Sequence, residues 1–161
     1  MRTDYNLREI TLQAFEEFLM VDDKDAAVKP APNKWSAKEI LGHLIDSASN
    51  NHGRFVRAQF EENFQIEGYR QNEWVEVQDY QNQEWQDLLI MWRQFNLLLS
   101  NLMFNTSPRI REQEIQLGVF MPSSPNLKEL PNTLGYLMED YVAHIKHHLG
   151  QIRVALSNES D

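Results

Sequence analysis

Four stretches of this chain repeat their apolar residues at helical spacing, and charged or proline-bearing segments separate them. The first runs from about Asp4 to Val21, with Leu7, Ile10, Leu12, Ala14, Phe15, Phe18 and Leu19 as its stripe. The segment DDKDAAVKPAPNKW breaks it with charges and two prolines. Ser36 opens the second, where SAKE reads as a capping box with Ser36 as N-cap and Glu39 reaching back; the pattern carries on to about Phe64. The third spans about Gln83 to Leu102, with Trp85, Leu88, Leu89, Trp92, Phe95, Leu98, Leu99 and Leu102 facing inward. The fourth spans about Asn132 to Leu156. Residues 66–80 hold Gly68 and no clean period, so a structured loop is expected there. The 105–130 segment is rich in proline and contains EIQLGVF, which reads as one or two short strands, at most a β-hairpin.

Four such helices with no long strand predict an all-α, four-helix bundle in one domain over 1–161. The connecting loops are long. They exceed the 2–8 residues usual between adjacent antiparallel helices, so up-down-up-down order is not assured.

Composition excludes several functions. The net charge of −9 repels a polyanion, which argues against nucleic-acid binding. No segment approaches the ~18 uninterrupted apolar residues of a membrane span. The N-terminus lacks the apolar run of a signal peptide, so a cytoplasmic protein is expected. With no cysteine, any metal must be held by nitrogen and oxygen.

Three of the five histidines crowd into DYVAHIKHHLGQI. On a helical wheel His148 lies about 45° from the centre of the apolar face and His144 about 85°, while His147 lies about 145° away. Residues at i and i+4 stack on one face, so His144 and His148 can chelate one divalent ion. A bundle site needs ligands from a second helix. His43 offers one, on a polar line with Ser36, Glu39, Ser47, Asn50 and Arg54. That line is either a solvated face or the lining of a wet cleft. His52 falls among apolar positions and reads as a core histidine. Asp46 and Asp140 stand at helical distance from His43 and His144, as orienting acceptors or as solvated acids. Asn50 extends the polar line toward a substrate. Arg54 is expected to pair with Glu61 or Asp46, with an anionic substrate as the alternative. Tyr69 and Trp74 read as pocket walls.

The segments KWSAKEILGHLIDSASNNHGRF, EGYRQNEWVEVQDYQNQEWQDLLIMW and TLGYLMEDYVAHIKHHLGQI resemble the DinB-like superfamily, and its YfiT-like branch in particular. The resemblance covers roughly residues 30–155. It implies a four-helix bundle, often a homodimer, and one divalent transition metal (zinc, nickel or iron) on three histidines matching His43, His144 and His148. It also implies a small-molecule substrate and one of two chemistries: hydrolysis, or transfer of a low-molecular-weight thiol. Asp46 and Asn50 are then the expected catalytic side chains. A metal- or ligand-binding bundle dimer without activity is the alternative. Arg70 departs from the pattern, which implies an acid after Tyr69.

Overall fold

A computed structural model describes residues 3–116 and 132–157, with side chains from Asn6 onward. Four long helices form the bundle: α1 (Thr3–Phe18), α3 (Ala37–Arg57), α5 (Trp85–Asn105) and α7 (Leu134–Leu156). Short helices α2 (Asp23–Ala26), α4 (Gln71–Val77) and α6 (Pro108–Arg111) lie between them. α1 packs against α5 and α7, and α3 packs against the same two. Of the long helices consecutive in sequence, α3 and α5 are neighbours, while α1 and α3, and α5 and α7, sit on diagonals. The loops from α1 to α3 and from α5 to α7 serve this order, because each must carry the chain across an end of the bundle.

The core is built from the predicted stripes. Leu7, Ala14 and Phe18 of α1 meet Trp85, Leu88, Leu89, Trp92 and Leu99 of α5, and Leu41, Leu44, Ile45, Leu137, Ile145 and Leu149 complete it. The expected third stripe drifts at its far end. Leu98 is exposed, while Asn96 and Met103 are buried in its place. Asn96 has a reason to be inside: its Oδ1 accepts the Tyr141 hydroxyl at 2.7 Å, and its Nδ2 donates to the Trp92 carbonyl at 2.8 Å. A polar group withdrawn from water needs such partners. This bond ties the diagonal helices α5 and α7 together.

Several boundaries differ from expectation. The second helix ends at Arg57 rather than near Phe64, since the chain leaves helical geometry through turns after Ala58 and reaches positive φ at Asn63. The 66–80 segment is not wholly irregular: α4 and a turn of 3₁₀ helix at Tyr80–Asn82 form there. At seven residues, α4 is too short to display a period. Part of the expected hairpin, 117–130, lies outside the described residues. Gln116 and Glu114 make only isolated bridges, to Gln65 and Thr133. Among the described residues no helix is long and apolar enough to cross a membrane.

The SAKE box forms as the sequence predicts. Ser36 Oγ accepts from the Glu39 N–H at 3.2 Å, and Glu39 Oε2 accepts from the Ser36 N–H at 2.9 Å. The box also serves tertiary structure, because Ser36 Oγ donates to Gln81 Oε1 at 2.6 Å and Gln81 Nε2 donates to the Ala27 carbonyl at 2.8 Å. Asp23 caps α5 from outside: its Oδ1 accepts from the Trp85 N–H at 2.8 Å and from Lys38 Nζ at 2.7 Å.

Tyr80 lies flat against α3 at Gly42. A Cβ at Gly42 would fall 2.1 to 2.7 Å from Tyr80 ring atoms, so only glycine permits the contact. At Gly53, in the same helix, a Cβ would meet nothing within 4 Å. These two positions predict opposite outcomes. Gly42→Ala should lower stability by about 1–3 kcal/mol through overpacking. Gly53→Ala should raise it by up to about 1 kcal/mol through helix propensity. Urea midpoints measure both, and an unchanged midpoint for Gly42→Ala would show that Tyr80 does not sit on the helix.

Candidate metal centre

The α3–α7 seam brings the three predicted histidines together. His43 Nε2 and His144 Nε2 stand 3.1 Å apart. The His148 ring centroid lies 4.6 Å from that of His43 and 4.4 Å from that of His144. One nitrogen from each ring falls within 4.8 Å of the others, and among the described residues this is the group of His, Asp and Glu side chains spaced to hold an ion. Bonds of about 2.1 Å in tetrahedral directions put ligand nitrogens about 3.4 Å apart, so the spacing fits a divalent ion. His147 is exposed and outside this group, and its ring stands edge-on to that of His148.

The polar line of α3 is neither solvated nor loose. Ser36, His43 and Ser47 are all buried, because the line faces α7 and the 69–82 segment rather than water. His43 is 1% exposed and Trp35 covers it at 5.3 Å between ring centroids. Burial makes protonation costly. It lowers the His43 pKa to about 3, helped by the charge of His148, and that of His144 to about 2. His148 is shifted the same way, mainly by burial. All three rings are held neutral, the form that donates a lone pair.

Hydrogen bonds set the outward nitrogens. Gln151 Oε1 accepts from His148 Nδ1 at 2.7 Å, which leaves Nε2 of that ring bare. The amide of Gln151 then donates to His147 Nε2 at 3.1 Å. His144 Nδ1 faces Ser47 Oγ at 3.4 Å. Ser47 and Gln151 are thus orienting partners of these two rings. Neither carried a signal: serine on a polar line is ambiguous, and Gln151 lies in the last turns of α7 among exposed residues. His43 Nδ1 is buried without a partner.

Asp46 is buried, and its Oδ1 accepts from the Tyr80 hydroxyl at 2.7 Å and from Gln78 Nε2 at 2.5 Å. Its Oδ2 has no partner. Burial pushes its carboxyl up, against the pull of those two bonds. Asn50 uses its amide on the Asp46 carbonyl at 2.9 Å. Asp140 is buried one turn before His144. His52 is half-buried rather than a core residue. Tyr69 hydrogen-bonds Ser47, and its ring lies 5.2 Å from that of Trp74. Burial, with the Asp46 charge, pushes the Tyr69 phenol up to about 12. Beside His148 a cleft of about 1130 Å³ opens between Trp35, Ile40, Gln71, Asn72 and Val154.

The lowered histidines imply a pH dependence for the metal-free protein. Unfolded histidines protonate near 6.5, while His43 and His144 in the fold resist to about 3 and 2. The unfolded state therefore binds protons first as pH falls, and stability drops from about 6.5 downward. Urea midpoints from pH 7 to 5, above the carboxylate range, should fall. In His43→Gln/His144→Gln they should fall less, and equal slopes would remove the burial argument.

Comparison with known proteins bears on the family and the fold. The DinB superfamily model matches residues 5–152. YfiT of Bacillus subtilis, named as a candidate metal-dependent hydrolase, is 25% identical over 118 residues, 73% of this chain and 62% of that protein. A protein of Oceanobacillus iheyensis with the same designation is 29% identical over 118 residues, 73% of this chain and 63% of its own. The chain thus spans less than two thirds of the length of these relatives. The solved structure of Bacillus subtilis YfiT, described as an unusual four-helix bundle, superposes with a TM-score of 0.77 at 20% identity. That likeness covers 95% of this chain and 83% of the other, and it shows a shared fold. With a family match over nearly its whole length and the same bundle, the chain belongs to the DinB superfamily.

Proposed function

We propose that this protein is a metal-dependent hydrolase whose divalent ion is held by Nε2 of His43, His144 and His148. The observation that carries the reading is the convergence of three neutral imidazoles from two helices, with ring nitrogens within 4.8 Å of one another. Nitrogen donors alone suit zinc, nickel or iron(II). A bound ion of this kind supplies Lewis-acid chemistry, lowering the pKa of a water or thiol toward neutrality.

The chain's own residues do the rest. Ser47 and Gln151 hold two rings in one orientation. Trp35 and the packing of α3 on α7 keep water from the back of His43. Asp46 acts through Tyr80 and Gln78, fixing the wall that faces the cluster. The cleft beside His148 admits a small molecule. Without cysteine, the chain could act in thiol transfer only on a thiol supplied as a second substrate.

Protein purified without a histidine tag should carry about one divalent ion per chain by elemental analysis. His144→Ala should lose it, and retention of metal in that variant would sink the reading. Ser47→Ala and Gln151→Ala should weaken metal binding roughly 10- to 100-fold, as loss of an orienting hydrogen bond does. Hydrolysis of an ester and amide panel should disappear with the metal. Turnover that requires an added low-molecular-weight thiol would reassign the chemistry to transfer. Metal binding with no turnover in either arm would leave a binding module.

A further inference from the structure

Arg54 stands one turn beyond Asn50 on α3 and is half-buried. Its hydrogen bonds go to uncharged acceptors: Nη2 donates to the Glu67 carbonyl at 2.7 Å, and Nη1 to Asn51 Oδ1 at 3.4 Å. The expected pairing with Glu61 or Asp46 does not form. Glu61 is taken by Arg57, which reaches it with Nε at 2.8 Å and Nη2 at 3.0 Å. Asp46 is turned to Tyr80 and Gln78. The Glu67 carboxylate, on the same cleft, acts on Arg57. In a chain with 24 acidic and 15 basic residues, a half-buried cation with no carboxylate among its hydrogen-bond partners is an exception.

The position of that cation gives it a use. Arg54 borders a cleft of about 290 Å³ with Asn50, Gly53 and Trp74, and the Cβ direction of Gly53 is open. It is linked to the histidine cluster through side chains already described. Arg54 interacts with Tyr69, Tyr69 bonds Ser47, and Ser47 faces His144. The Arg54 charge is felt at His144 itself. Burial lowers the Arg54 pKa, as expected of a guanidinium that lacks a counter-charge.

We propose that Arg54 anchors a single carboxylate of the substrate, so that the site takes small carboxylic acids carrying an apolar or aromatic group. A guanidinium has five N–H donors in a planar fork, and two are engaged here. The free ones match the two oxygens of a carboxylate. The cleft also holds Arg57, but that guanidinium is taken by Glu61. One cation left for a ligand on a chain of net charge −9 suits a monoanion, whereas a phosphate dianion would meet the repulsion of the whole protein. The Tyr69 and Trp74 rings, 5.2 Å apart and tilted to each other, give the apolar part of the ligand its wall. This deepens the hydrolase reading by naming its substrate class, yet the recognition can be tested without turnover.

The test is calorimetric titration of metal-loaded protein with 4-phenylbutyrate and with its neutral amide. The acid should bind roughly tenfold more tightly, the gain of a charge-assisted pair over a neutral one. Arg54→Gln should bring the ratio close to one with metal content unchanged, and Arg54→Lys should restore part of it. A mere disturbance of the Glu67 contact would weaken both ligands alike and leave the ratio standing. Absence of a preference in the native protein overturns the proposal, whether neither ligand binds or both bind equally. So does a preference that survives Arg54→Gln, since the carboxylate would then be held by the ion. An Arg54-dependent preference without hydrolysis sinks only the enzymatic reading. Hydrolysis without such a preference sinks only this one.

Discussion

Everything functional in this fold depends on a polar line buried in the seam between α3 and α7. Helix burial is driven by apolar surface, and withdrawing polar groups costs free energy unless each finds a partner. α3 nonetheless turns Ser36, His43 and Ser47 toward its neighbours. The cost is offset group by group, by Gln81, by Asn51, by Tyr69 and by the second helix's own histidines. Of the four buried side-chain atoms left without a partner among the described residues, Trp92 Nε1 and Arg93 Nε are on α5, and two belong to α3, His43 Nδ1 and Asp46 Oδ2. These last two lie three residues apart, next to the histidine cluster. Two such atoms of titratable side chains beside a histidine cluster are the pattern of a functional site.

The diagonal order of the helices makes that seam possible. His43 and His144 are 101 residues apart in sequence, and the chain passes through α5 before returning. Had α1 and α3 been neighbours as well as α3 and α5, α7 would have lain across the core from α3. Here α7 sits beside α3, and the long loops become working parts. The 58–84 segment supplies Tyr69, Trp74, Gln78 and Tyr80, four of the side chains that enclose the site. Gly42 is the hinge between loop and frame, because only a missing Cβ lets the Tyr80 ring approach closely enough to bond Asp46.

Much of this was legible in the sequence, for identifiable reasons. The 3.6-residue period marks long amphipathic helices, and the capping box fixes the start of α3 within a residue. The i, i+4 spacing of His144 and His148 makes their stacking a consequence of helix geometry. What periodicity lacks is the third dimension. It placed His43 on a polar line but left open whether that line met water. It also called Leu98 buried, because a helical stripe drifts over six turns and the partner helix decides which neighbour faces in. α4 was invisible because seven residues show no period. Ser47 and Gln151 were missed because an orienting residue is defined by what lies opposite it, and that is tertiary information.

The division of labour between frame and loop also bears on the departure at Arg70. That residue ion-pairs with Glu73 across one turn of α4 and is largely exposed. A surface pair at this spacing contributes little, typically under 1 kcal/mol. An arginine at this position, where the resemblance implies an acid, is therefore accommodated at the rim, away from the histidines and Asp46. A loop that meets the site through Tyr69 and Trp74, while anchoring itself through Tyr80 at Gly42, can alter its outer face freely. The frame, where three neutral rings and a buried carboxyl depend on one another's positions, has no such freedom.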